Sequence, residues 1–358
     1  MKINNFYQLI CLLLLTLSTE LRARPLVDPN GGYPKKDLVS DKVVLKVVQT
    51  NAESIQVADR DSALKRNIDN MILFGKKACT TGKKPNILLF HEFPLTGWFS
   101  GNRSEKLKNS IFIPGKETDE IAKLAKFCDS YIVFGAYVQD SNWPGHVLSI
   151  NTVINRNGKI VKKFWKPKNI KRFYDTFEIN TTTVENVRDR FRSKYGIEDE
   201  FPVLKTEFGN IAVSTVQLDP FVFAAFAMKG VEIMLRTATL FFRADVIATA
   251  QTNNFFSAMA NIPYNSPYGG KSIIVSPDGD VLAEHPDNNT EGIITAELDM
   301  ASFRKNRKIP QYSTELTKPV FDQYQQEIPL NHLDLPQNQL PQNGGAMKKL
   351  LDSLSRWQ

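Results

Sequence analysis

Cysteine and histidine are scarce in this 358-residue chain, with three of the first and four of the second. Cys11 falls in an N-terminal apolar run, and the four leucines after it do not make a lipid-attachment box. That leaves Cys79 and Cys128, each near the end of a helix-like segment; they could pair in an oxidising compartment, but two thiols do not establish a bridge. His91, His146, His285 and His332 show no ligand spacing, so neither a metal site nor a cofactor is expected. Internal repeats are missing, and so is any hydrophobic run of membrane-spanning length.

The first 23 residues read as an export signal. Lys2 supplies the positive start, Leu9 to Leu17 the apolar run, and Leu21-Arg22-Ala23 an imperfect cleavage site. A run of nine residues cannot cross a hydrocarbon core of roughly 30 Å. The expectation is a soluble exported protein, periplasmic or secreted, with no membrane contact after cleavage. Sequons at Asn102, Asn180 and Asn288 would accept glycans in a eukaryotic secretory route.

What is present is ample core material, at 42% hydrophobic and 10% aromatic residues. The net charge of +7 falls to +6 once Lys2, Glu20 and Arg22 leave with the signal. The cations are scattered except for Lys159, Lys162, Lys163, Lys166, Lys168, Lys171 and Arg172. No nucleic-acid motif accompanies that run, so it reads as a solvated face.

After a lead-in over 24–41, strands are expected at 42–49, 86–92 and 131–138, with helices at 63–78 and about 118–127 between them. Asn157-Gly158 turns a hairpin between 147–155 and 159–164. Residues 167–200 carry mixed charge and little periodicity, a surface excursion. Strands at 201–206 and 210–217 precede a helix opened by Asp219 at the N-cap and Pro220 at the first helical position. A strand at 231–235, a helix at about 244–260, a hairpin through Pro277-Asp278-Gly279 and a strand at 292–298 follow. From about residue 325 the composition turns to Pro, Gln and Asn, predicting an extended polar tail that reaches over a neighbour. Strand and helix alternate, so the fold class is α/β.

One stretch carries chemistry. Asn86-Ile87-Leu88-Leu89-Phe90-His91-Glu92 is an apolar strand that delivers a single carboxylate at its end, before the Pro94 and Gly97 turn. Such a carboxylate is partly desolvated, which suits general-base work; the other reading is a strand-end glutamate in water. Together with Asn157 to Lys166, the pair Pro202 to Thr206 and Gly209 to Val213, Lys229-Gly230-Val231-Glu232, and Gly269 to Asp280, this stretch resembles the nitrilase, or carbon–nitrogen hydrolase, superfamily over roughly residues 42–315. The resemblance implies a four-layer α-β-β-α sandwich, often a homodimer. It also implies hydrolysis of amides, nitriles or carbamoyl groups by a Glu, a Lys and a Cys. The thiolate attacks carbon, the glutamate moves the proton and activates water, and the lysine steadies the developing charge.

By that resemblance Glu92 is the base and Lys166 the lysine. The cysteine is missing. Counting from Gly209-Asn210-Ile211 puts its place at Val216, across one continuous strand; counting back from Lys229-Gly230 puts it at Ser214. The aromatic-Asp pair that follows the nucleophile in the family is replaced by Gln217-Leu218, and His91 stands where a proline precedes the glutamate. Period-two alternation puts Ser214 and Val216 on one face and Thr215 on the other, so Ser214 is the better-placed hydroxyl. Three expectations follow. The first is an exported homologue that has lost acyl transfer but keeps a pocket for a small amide or carboxylate. The second is an active amidase using Ser214 with Glu92 and Lys166, and the third a structural or partner-binding protein.

Overall fold

The computed structural model describes residues 26–99, 101–170 and 181–357; the expected signal, Lys171, Arg172 and Asn180 lie outside them. Among the described residues the strands in chain order are β1 (Lys42–Gln49), β2 (Ile87–Leu89), β3 (Tyr131–Val138), β4 (Val147–Ile154), β5 (Ile160–Trp165), β6 (Thr181–Thr182), β7 (Leu204–Thr206), β8 (Gly209–Ser214), β9 (Ile233–Ala238), β10 (Phe256–Asn261), β11 (Ile273–Val275), β12 (Val281–Glu284) and β13 (Gly292–Asp299). The helices used below are α1 (Arg60–Thr80), α2 (Arg103–Asn109), α3 (Lys116–Cys128), α4 (Arg188–Tyr195), α5 (Pro220–Met228), α6 (Arg243–Asn253), α7 (Met300–Asn306), α8 (Thr314–Gln323) and α9 (Gly344–Leu354). One sheet has the order β13-β1-β2-β3-β4-β5 with β6 beside β4, and the other β12-β11-β10-β9-β8-β7.

Alternation along the buried strands builds the layers. Leu88, Phe90, Ile132 and Phe134 pack with Leu64 and Met71 of α1 and Ile121 and Leu124 of α3. Their neighbours Ile87, Leu89 and Val133 point the other way, into one cluster with Ile211, Val213, Ile233 and Leu235 of the second sheet. Helices α5 and α6 close the far side through Phe223, Phe226, Val246 and Ala250. The result is the expected four-layer α-β-β-α sandwich.

Cys79 and Cys128 form a disulfide between the C-terminal ends of α1 and α3, with Cα atoms 5.4 Å apart. A Cβ on Gly75 would meet Leu124 Cδ2 at 2.4 Å, so the glycine lets these two helices approach closely. The bridge closes a loop with a sequence separation of 49. Chain entropy for a loop of that size is worth about 4 kcal/mol. Replacing both cysteines with alanine should therefore lower the thermal midpoint by roughly 6 °C, read by calorimetry, with reductant giving the same loss on the wild type.

Three expected segments are corrected. The single helix over 244–260 is a helix and a strand: Asn254 takes the left-handed conformation (φ 49°) as the cap of α6, and β10 begins two residues later. The chain from 325 onward is not an extended tail. Leu333, Leu340, Met347 and Leu351 are buried in the cluster under α1 and α3, and α9 opens with Asn343 accepting from the Ala346 N–H. The excursion over 167–200 is not only surface in its described residues: α4 buries Phe191, whose ring packs edge-on against Trp165 at 5.2 Å.

Candidate functional site

Glu92 leaves the end of β2 and Lys166 the end of β5, and both side chains are about 4% exposed. Lys166 Nζ lies 3.6 Å from Glu92 Oε1. Ser149 on β4 is the joint between them: its hydroxyl donates to Glu92 Oε1 at 3.2 Å, and its carbonyl accepts from the Lys166 N–H at 3.1 Å. Gly135 on the neighbouring strand makes room, because a Cβ there would sit 2.3 Å from the Glu92 carbonyl oxygen. Lys166 is thus separated from the basic run around it. Lys162 pairs with Asp199 at 2.6 Å on the part-exposed surface, while Lys166 is inside.

An ammonium and a carboxylate buried together depend on each other, because burial strips both of water. Lys166→Met should lower stability by about 3 kcal/mol, and adding Glu92→Gln should recover most of it; urea midpoints of the two variants check this.

The turn after β8 meets the chain just past Lys166. Lys168, two residues past Lys166, forms an ion pair with Asp219. Asp219 also caps α5, accepting from the Phe221 and Val222 N–H groups at 3.1 and 3.3 Å. Across the sheets, Thr237 on β9 donates its hydroxyl to Asn151 Oδ1 at 2.7 Å. The two halves are therefore fastened at the Glu92 and Lys166 end of the sandwich.

The β8 turn itself carries no thiol. Val216 is buried in the apolar cluster shared with Phe164 and Val213. Its carbonyl accepts from Arg236 Nη2 at 2.9 Å, and its N–H donates to Ser214 Oγ at 3.2 Å. Ser214 is the register partner of Arg236 on the parallel strand, and paired residues share a face. Arg236 points to the helices: it pairs with Asp245, donates to Thr249 Oγ1 at 3.0 Å, and lies 4.2 Å from the Phe223 ring and 4.4 Å from Phe241. Thr237, the next residue, points to the facing sheet instead. Ser214 consequently shares the helix-facing side, and its hydroxyl caps the turn. Burial pulls the pKa of Arg236 down, opposed by the charge of Asp245.

Ser149, Lys168, Arg236 and Asp245 escaped sequence reading. Arg236 left one signal, a charge in the apolar run Ile233-Met234-Leu235. Cys79 and Cys128 sit in their disulfide on the outer helix layer, away from this turn. Among the described residues no group of three His, Cys, Asp or Glu side chains is placed to hold a metal ion.

The carbon-nitrogen hydrolase family model matches residues 47–308. Among solved structures, the chain is similar to an amidase from Nesterenkonia sp. AN1, as a double mutant in complex with acrylamide. Identity is 14% over 79% of this chain and 98% of that one, with a TM-score of 0.58. A carbon-nitrogen hydrolase from Helicobacter pylori G27 is similar at 15% identity, over 80% and 96% of the two chains, with a TM-score of 0.58. Another mutant of the Nesterenkonia amidase, showing covalent addition of the acetamide moiety of fluoroacetamide at the active site cysteine, is 15% identical over 77% and 96%, with a TM-score of 0.56.

Proposed function

We propose that this chain, which belongs to the carbon-nitrogen hydrolase family, binds a small amide or carboxylate and no longer transfers its acyl group. The observation that carries this reading is the pairing of an intact, buried Glu92–Lys166 couple with an aliphatic side chain, Val216, at the end of β8. A base and a charge-stabilising ammonium without a nucleophile can recognise a polarised carbonyl but form no covalent intermediate. Ser214 does not repair the defect: its oxygen accepts from the turn, and it shares the face of Arg236. A hydroxyl is also a far weaker acid than the thiol such a carboxylate serves.

The disulfide supports an exported protein, since such bridges persist in oxidising compartments. Leu316, Val320 and Phe321 of α8 are exposed beside the exposed Phe221, an apolar face suited to a homodimer. No basic groove for nucleic acid enters this reading.

A panel of aliphatic amides and nitriles incubated with the disulfide-bonded protein tests the proposal. The expected result is no ammonia release above a buffer blank. Release that vanishes in Glu92→Gln and in Ser214→Ala would establish the amidase reading instead.

A further inference from the structure

Arg103 is 1% exposed, at the first position of α2. Its Nε donates to the Pro341 carbonyl at 2.8 Å, and its backbone N–H to the Gln342 carbonyl at 2.8 Å, so the returning C-terminal segment covers it. Both Nη groups are buried without a hydrogen-bond partner. Among the described residues no carboxylate pairs with it. By contrast, Arg190 nearby has Asp334 at 3.2 Å, stacks 4.0 Å over Trp143, and donates to His146 Nε2 at 2.8 Å. Burial first, then the charges of Arg190 and Arg103, pushes the pKa of His146 down. Lys106, one turn along α2, is also buried, with Nζ 4.7 Å from the centre of the Tyr137 ring.

A desolvated guanidinium with both Nη groups idle is expensive unless an anion or its equivalent meets it. The planar fork matches a carboxylate bidentately. Its position gives the site a use. Tyr137 stacks on Phe93 at 4.0 Å, beside Glu92, and is the ladder partner of Ser149, which donates to Glu92. The inner side of α2 is therefore one aromatic ring away from the Glu92–Lys166 pair.

We propose that Arg103, with Lys106 beside it, is the anchor for the carboxylate of a small organic acid, and that the ligand of this protein is an amido acid whose amide end points to Lys166. The amide end rests on the pocket reading above; the carboxylate anchor does not.

Thermal midpoints of the disulfide-bonded protein, at constant ionic strength, test both ends with succinate, succinamate, phosphate and acetamide against chloride. Succinate and succinamate should raise the midpoint with the logarithm of their concentration, by roughly 4 °C at a hundredfold excess over Kd. Arg103→Met should abolish the succinate response and keep the acetamide response; Lys166→Met should do the reverse. A succinate response undiminished in Arg103→Met, or none in the wild type, overturns the anchor, and a response to phosphate alone overturns its assignment to carboxylates. An absent acetamide response beside an Arg103-dependent succinate response sinks the pocket reading and leaves the anchor standing. Should Arg103→Met not fold, spectra of wild-type protein labelled with 15N-arginine decide: a buried guanidinium must shift as succinate is added, and unmoved signals overturn the proposal.

Discussion

Val216→Cys should convert a chain inert to fluoroacetamide into one that takes up an acetamide group in stoichiometric amount. Protein produced without residues 1–23 offers no competing thiol, because Cys79 and Cys128 are joined to each other. The exchange is mild for the fold. Val216 is 1% exposed, and cysteine is a slightly smaller apolar side chain, so the loss is about 1 kcal/mol. In the proposed reading the new sulphur lies beside Glu92 and Lys166. Arg236 fixes the Val216 carbonyl, Lys168 and Asp219 tie this turn to the exit of β5, and Lys166 lies against Glu92. With Glu92 as base, the thiol should react roughly 100-fold faster than in the Val216→Cys, Glu92→Gln double variant. Intact-mass spectrometry over time, with free glutathione as the reference thiol, measures both rates. A new thiol no faster than glutathione would mean that Val216 does not occupy the nucleophile's place.

How much of this could be read in advance depended on whether the signal was local. Strands β1 to β5 were legible because apolar runs of the right length are bounded by turn residues, Asn157-Gly158 above all. Glu92 and Lys166 were legible because each ends such a run. Helix α6 and strand β10 merged in the sequence because Ala248 to Ala250 and Phe255 to Ala260 share an apolar, alanine-containing composition. Only Asn253-Asn254 marks the break, through a left-handed cap. Helix α2 was missed although Asn102 and Glu105 form a capping box, since its seven residues are mostly polar or charged. The tail was misjudged because Leu333, Leu340, Met347 and Leu351 are spread thinly through Pro, Gln and Asn. Buried cations are the hardest class. Arg103 and Arg236 take their meaning from what covers them, Pro341 and Gln342 in one case and Phe223, Phe241 and Asp245 in the other, and those partners are distant in sequence.

Acid should unfold this protein well before its carboxylates titrate. His91 is fully buried, and desolvation pushes its pKa down to about 3, against a small opposing pull from the Thr50 backbone. His146 is pushed down to about 3 by burial first, then by the charges of Arg190 and Arg103. In the unfolded chain both titrate at about 6.5. Between those values the unfolded state binds protons that the folded state refuses, so stability is complete above about pH 6.5 and falls as pH drops towards 3. Each histidine contributes a slope of about 1.4 kcal/mol per pH unit, so going from pH 6.5 to 4.5 removes about 5 kcal/mol for the pair. The geometry explains the refusal. His146 Nε2 accepts from Arg190 while Nδ1 is bonded to Thr182 Oγ1 at 2.9 Å, so an added proton would displace the first bond and set two cations together. His91 Nδ1 faces the Phe93 N–H at 3.3 Å, again as acceptor. The exposed carboxylates held low by arginine or lysine, Glu53, Asp59 and Glu297, lose their contributions only at lower pH and do not mask the effect. Urea midpoints between pH 7.5 and 4.5 should follow this slope, and His146→Gln should halve it. A midpoint flat down to pH 5 would show that both rings accept a proton in place.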